Sequence, residues 1–196
     1  SSAASDVYKR QAARLAWTLH YLGYESVQVL NGGLQAWTDE GHPVGDRPVL
    51  PDVAATLALT SRNPSVLADY TYVRQHLDDE SVVLLDARTP EEYAGTKVRA
   101  ARGGHIPGAV NLNWLDTIDK NRSLRLKSPE ILSNALKTLG VRPEQEVITY
   151  CHSHHRSAHA WLMLKSIGFP RVRGYAGSWS EWGNHLQTPV TTGTSP

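Results

Sequence analysis

The chain has a single cysteine among its 196 residues, so no disulfide can close within it. That usage suits a reducing compartment and gives a cytoplasmic expectation. Excess charge is missing too. The formal net charge is +1, so no global field recruits nucleic acid or a membrane surface. No apolar run approaches the roughly 18 residues that a membrane span needs. There is no initiating methionine: the chain opens Ser1-Ser2-Ala3-Ala4-Ser5-Asp6. Residues 1–11 are therefore expected to be a non-native leader outside the fold. With 20% charged and 40% hydrophobic residues, the remainder reads as an ordinary globule. Its length fits one full domain plus a smaller piece.

What is present begins with a repeat. Gly23, Val27, Gly32 and Trp37 pair with Gly168, Val172, Gly177 and Trp182, each pair 145 residues apart. Leu15, Ala16, Leu19 and Leu22 match Ala160, Trp161, Leu164 and Ile167 in the same register, and Tyr24 matches Phe169. After a one-residue slip, Pro43-Val44 matches Pro189-Val190. Each copy reads as helix, Gly cap, aromatic, short strand, Gly turn and Trp-bearing helix. A fixed offset over so many positions favours duplication over chance. The second copy is preceded by a full run of strands and helices, the first only by the suspected leader. The proline-dotted stretch 47–65 reads as a connector, with one extended strand expected at 56–60.

From residue 66 the pattern alternates strand and helix, which argues for a parallel sheet covered on both faces. The expected elements are a helix at Thr71–Leu77, a strand at Val82–Leu85 and a short helix capped by Thr89. A helix starting at Ser128-Pro129 and strands at Val147–Tyr150 and Arg171–Tyr175 follow. Cys151 stands where the strand Val147–Tyr150 ends. From Ser157 to Ile167, apolar residues recur at helical spacing and Gly168 stops them. A thiol between a strand's C-terminal end and a helix's N-terminus meets free amides and the positive end of the helix dipole. Both favour its ionised form. Most lone cysteines are small buried hydrophobes; the polar, cationic run after Cys151 favours a nucleophile instead.

Four motifs occur in order: Asp86-Ala87-Arg88 after a strand, Gly104-His105-Ile106-Pro107-Gly108-Ala109, Cys151-x4-Arg156-Ser157, and Gly177-Ser178-Trp179-Ser180-Glu181-Trp182. Together they resemble the rhodanese family of sulfurtransferases in its tandem-domain form, over essentially residues 12–190. The resemblance implies a rhodanese-like three-layer α/β/α domain with a five-stranded parallel sheet. Its catalytic domain would span 66–190, with a tail at 191–196. Residues 12–46 would be the C-terminal remnant of a non-catalytic first copy, joined by the 47–65 linker.

The resemblance also implies chemistry. Cys151 would carry a persulfide, taking sulfane sulfur from thiosulfate and passing it to a thiol or cyanide, without a cofactor. His152, Ser153, His154, His155, Arg156 and Ser157 would form the active-site loop, its amides turned toward the sulfur. Arg156, the permanent cation of the loop, would receive the donor dianion. The three histidines would add pH-dependent positive charge. They also raise the question of a metal, but neighbours in a tight loop splay apart, so no metal is expected. Asp86 would orient the loop or Arg156, or be satisfied by nearby backbone. Arg88 is similar, and Trp114 would be an aromatic wall or a core residue. His105 reads as a turn residue, and Glu91 and Glu92 as partners of a helix dipole. Arg99 and Arg102 would widen a positive rim or sit in a solvated loop.

Related dual-specificity phosphatases hold phosphate in Cys-x5-Arg, and the shorter Cys-x4-Arg here favours sulfur. The loop also departs from the Gly-Ser-Gly-Val-Thr-like loop of mercaptopyruvate enzymes and resembles a bacterial tandem branch with Thr-His-His-Arg. The alternative from another class is a persulfide carrier that delivers sulfur to an accepting protein with little turnover.

Overall fold

The computed structural model describes residues 2–46 and 62–196. The strand expected at 56–60 lies outside the described residues. Two helices come first, α1 (Ser2–Tyr21) and α2 (Gly33–Asp39). Helix α1 runs without a break through the segment expected to be a leader. Then follow β1 (Leu67–Ala68), α3 (Tyr70–Gln75), β2 (Val82–Asp86), α4 (Pro90–Ala94) and β3 (Val110–Asn111). The chain continues through β4 (Ile118–Asp119), β5 (Arg125–Leu126), α5 (Pro129–Thr138), β6 (Glu146–Tyr150), α6 (Arg156–Ser166), β7 (Val172–Tyr175) and α7 (Ser178–Trp182).

Among the described residues, five strands form one parallel sheet in the order β1-β7-β6-β2-β3; β4 and β5 make a separate antiparallel pair. The expected α/β architecture is therefore present. Side chains alternate across the sheet as the pleat requires. Leu85, Val147 and Val172 enter one core with Leu132, Leu136, Trp161 and Leu164 of α5 and α6. Leu84, Ile148 and Tyr175 enter the other with Val73, Tyr93 and Trp182 of α3, α4 and α7. Strands buried on both faces explain the near-continuous apolar runs in the sequence.

Local signals set the helix starts. Asp69, Thr89 and Ser128 each accept a hydrogen bond from a first-turn amide. At α4 the cap is reciprocal: Glu92 Oε2 accepts from Thr89 N–H at 3.3 Å while Glu92 N–H donates to Thr89 Oγ1.

The β2–β6 register pairs Asp86 with Tyr150, and Ala87 N–H donates to Tyr150 O at 2.9 Å. Asp86 and Cys151 thus leave the sheet at the same carboxyl edge, where open parallel sheets place their ligands.

Helix α1 packs on α6, with Ala13 and Trp17 buried in the same core as Ala158, Ala160 and Trp161. The stretch around Val27, expected to be a strand, is not one. Among the described residues it has no sheet to join, and backbone propensity alone does not make a strand. Beyond it the surface is apolar, with Leu34 68% exposed. A groove of about 780 Å³ lies there, lined by Leu30, Leu34, Leu126, Leu132, Leu162 and Ile167; Cys151 does not line it.

Candidate active site

Residues 151–156 close a tight turn between β6 and α6. His154 has a left-handed φ of 55° and the next residue, His155, is right-handed. That alternation turns successive N–H groups to one side and makes a concavity suited to an anion. No side chain caps α6, so its first-turn amides remain open to the loop. The first two carbonyls of the loop are turned to α7. Trp179 N–H donates to Cys151 O and Ser180 N–H to His152 O, each at 2.9 Å, so the start of α7 is satisfied by the loop. Cys151 N–H donates to Ser178 Oγ at 3.3 Å, and that hydroxyl donates to Tyr175 O. Cys151 itself is 1% exposed.

His154 departs from its expected role. Its side chain is fully buried behind the loop, with Nδ1 2.7 Å from Ser157 Oγ and, among the described residues, no hydrogen-bond partner for Nε2. The Trp17 ring meets it edge-on at 4.5 Å. Burial drives its pKa well down, with Arg14 and His155 adding to the effect, so it is neutral at physiological pH. It therefore adds shape, not charge. Ser157 is likewise turned inward, and its carbonyl accepts from Thr149 Oγ1. His152 is also held low, by burial first and Arg156 second. His155 is exposed and its ring contacts Ser153 O.

Arg156, expected to receive the donor dianion, is engaged by a carboxylate. Its Nη1 and Nη2 donate to both oxygens of Glu92, at 2.5 and 3.0 Å. Glu92 is 2% exposed and also pairs with Arg99 Nε at 3.2 Å. Burial pushes the Glu92 pKa up, but the Arg156 guanidinium outweighs it and brings the group to about 2. Glu92 is thus an anchor for the loop rather than a mere partner of a helix dipole, its expected role. Its place at the third position of a capping box was legible; its partner 64 residues away was not.

The supporting residues separate. Asp86 and Arg88 form their own closed pair, with Arg88 Nε donating to Asp86 Oδ2 at 2.9 Å and Nη2 donating to Gly104 O. The Arg88 guanidinium lies 4.5 Å over the Trp179 ring. This pair braces the β2 end. Trp114 is buried edge-on to His159, with the Arg10 guanidinium over its ring, in the same core as Cys151. Arg102 donates to the carbonyls of Trp182, His185 and Thr188 and makes no open rim. His105 stacks on Tyr93 and contacts Tyr93 O through Nδ1 at 2.9 Å. Among the described residues no cluster of three or more His, Cys, Asp or Glu could hold a metal.

The domain that carries this loop has known counterparts. The rhodanese-like domain matches residues 69–185, which enclose the loop and its supports. The chain belongs to the rhodanese family. It is 45% identical over 180 residues to a thiosulfate sulfurtransferase of Pseudomonas aeruginosa, covering 91% of this chain and 65% of that protein. It is 33% identical to the sulfur carrier protein TtuD of Thermus thermophilus, covering 93% of this chain and 67% of the relative. Among solved structures, EanB carrying a cysteine persulfide with ergothioneine superposes with a TM-score of 0.83 at 28% identity, over 94% of this chain and 45% of EanB. This chain thus spans only part of these curated relatives, 65% and 67% of their length.

Three further residues of the site had no role assigned to them from the sequence. Ser178 holds the Cys151 amide. Gly174 leaves room for the His154 ring, which a Cβ there would overlap while crowding Trp17 Nε1 at 2.8 Å. Trp17 itself, from α1, donates to Val66 O at 2.9 Å and backs His154. A repeat match reveals none of these contacts, because each joins segments far apart in the chain.

Proposed function

We propose that the protein is a sulfurtransferase that moves sulfane sulfur through a persulfide on Cys151. The carrying observation is the anion-shaped turn that holds Cys151 between β6 and the uncapped start of α6. The Cys151 thiolate attacks the outer sulfur of thiosulfate. A new sulfur–sulfur bond forms, the old one breaks, and sulfite leaves with the bonding electron pair. Cyanide or a thiolate then attacks the terminal sulfur of the persulfide, and the Cys151 thiolate is restored. Loop amides and the α6 dipole favour the anion at each stage. Arg156, fixed by Glu92, shapes the loop and adds its field. His152, Ser153 and His155 line the turn, while His154 and Ser157 seat it from behind.

Residues 12–46 are, on the same proposal, the end of a first rhodanese copy, and 66–190 the catalytic unit. Their hydrogen bonds support this: Tyr24 N–H to Leu19 O and Phe169 N–H to Leu164 O recur at the repeat offset. Cytoplasmic action follows from the thiol chemistry, which needs a reducing compartment.

Steady-state turnover tests the proposal against its alternative. With thiosulfate and cyanide, the chain is expected to release thiocyanate over many cycles, and Cys151→Ala to release none. A protein that loads one sulfur and stops would be a carrier, the role TtuD's name gives to that relative. Weaker turnover with mercaptopyruvate than with thiosulfate is expected; the reverse ranking would overturn the donor assignment.

A further inference from the structure

We infer that Arg14, supplied by α1 from outside the matched rhodanese domain, is the cation on which an anionic sulfur donor lands beside Cys151. The inference rests on the sulfur-transfer proposal above and names its donor subsite. A donor such as thiosulfate approaches a nucleophile that is itself negative, so a positive group has to stand at the entrance. Most guanidinium groups around the loop are committed. Arg156 and Arg99 share Glu92, Arg88 closes on Asp86, and Arg102 is taken up by carbonyls.

Arg14 differs. Among the described residues no carboxylate pairs with it, and its one hydrogen bond runs from Nη1 to His154 O, at 3.3 Å. The guanidinium lies 4.9 Å from the Trp17 ring centroid, and this contact steadies the head group while most of its N–H fork stays unused. Trp17 in turn is fixed by Val66 O and packs on His154, so α1 holds Arg14 against the loop at two points. Burial lowers the Arg14 pKa and attraction to the Cys151 thiolate opposes that. An arginine in such a place remains charged at neutral pH.

A planar fork with free donors suits the oxygens of a thiosulfonate group. It would hold the sulfonate end while the outer sulfur faces Cys151. A neutral donor gains nothing from it.

The test compares Arg14→Gln, which keeps a polar stem over Trp17, and Arg14→Lys, which keeps the charge, with the original protein. Exposed Lys137→Ala serves as a control for loss of any cation. For Arg14→Gln, KM for thiosulfate should rise about tenfold while kcat changes less than about threefold, the size of one charge-assisted contact. Arg14→Lys should recover most of that. A second readout needs no sulfur transfer: Cys151 alkylation by iodoacetate, an anion, against iodoacetamide, its neutral counterpart. The rate ratio should fall about tenfold in Arg14→Gln, because a change in thiolate fraction alone moves both rates together. An unchanged ratio in Arg14→Gln overturns the inference, as does an equal fall in Lys137→Ala. Should the original protein form no persulfide with thiosulfate, the sulfur-transfer proposal fails, while the alkylation ratio still decides whether Arg14 receives anions.

Discussion

The two segments that match at the 145-residue offset, copies of one repeat on the proposal above, share their local geometry and differ in what they lean on. Gly23 and Gly168 end their helices with φ of 89° and 92°. Trp37 Nε1–H donates to Pro43 O at 2.8 Å and Trp182 Nε1–H to Pro189 O at 2.9 Å, one residue further on, as the slip in the alignment requires. Yet Trp182 is fully buried while Trp37 is 37% exposed, and only the second copy has a strand after its helix. Caps and turns are decided by nearby residues, and strands and burial by the sheet they meet. The Gly turns diverge as well. At the offset where the first copy has Gly33 with φ 60°, the second has Ser178 with φ 52°. A serine held left-handed costs about 1 kcal/mol or more. Its hydroxyl compensates by gripping the Cys151 amide.

Breaking this contrast is most direct at the tryptophans. Trp182→Ala should lower stability by about 3–5 kcal/mol in urea titrations, because a full ring leaves the core. Comparable losses for Trp37→Ala would mean that the first copy is as well packed as the second.

The buried ion pair comes next, since the first copy has no described counterpart of it. Glu92→Ala strands Arg156 without its carboxylate and opens the α4 cap, so a loss of about 3 kcal/mol is expected. The pH dependence has a definite sign. The folded pKa of Glu92 is depressed to about 2. Its stabilisation is therefore present above the unfolded value of about 4.3 and is lost as pH falls toward about 2. The stability gap between the original protein and Glu92→Gln should stay level above about pH 5 and close through that window. A gap that persists at the acidic end would show that Glu92 acts through packing alone.

Smallest of all, Trp37→Ala should cost under about 1 kcal/mol and Leu34→Gln no more than about 0.5 kcal/mol. Either side chain proving essential to stability would erase the contrast between the copies.

Much of this was legible in the sequence. The capped starts at Thr89 and Ser128, the apolar runs of β2 and β6 and the place of Cys151 followed from local patterns. The family resemblance supplied the five-stranded sheet. The strand at Val27 failed because a strand needs a neighbour, and periodicity does not reveal one. The position of the loop is legible in the sequence, whereas its charge is not. Arg156 and His154 carry cationic or titratable groups in any listing of the sequence, but Glu92 cancels the first and burial behind Trp17 neutralises the second. Both effects come from segments far away in the chain. Asp86 and Arg88, two positions apart, satisfy each other, a pairing that the expected roles of the two residues did not include.

The central claim is that Cys151, though almost wholly enclosed, is an anionic sulfur carrier. Mass spectrometry of the folded protein after thiosulfate treatment tests it most directly. One added sulfur atom on the Cys151 peptide, removed by cyanide and absent in Cys151→Ala, is the expected result. An unmodified Cys151 in folded protein, under excess thiosulfate and across the neutral pH range, would contradict it.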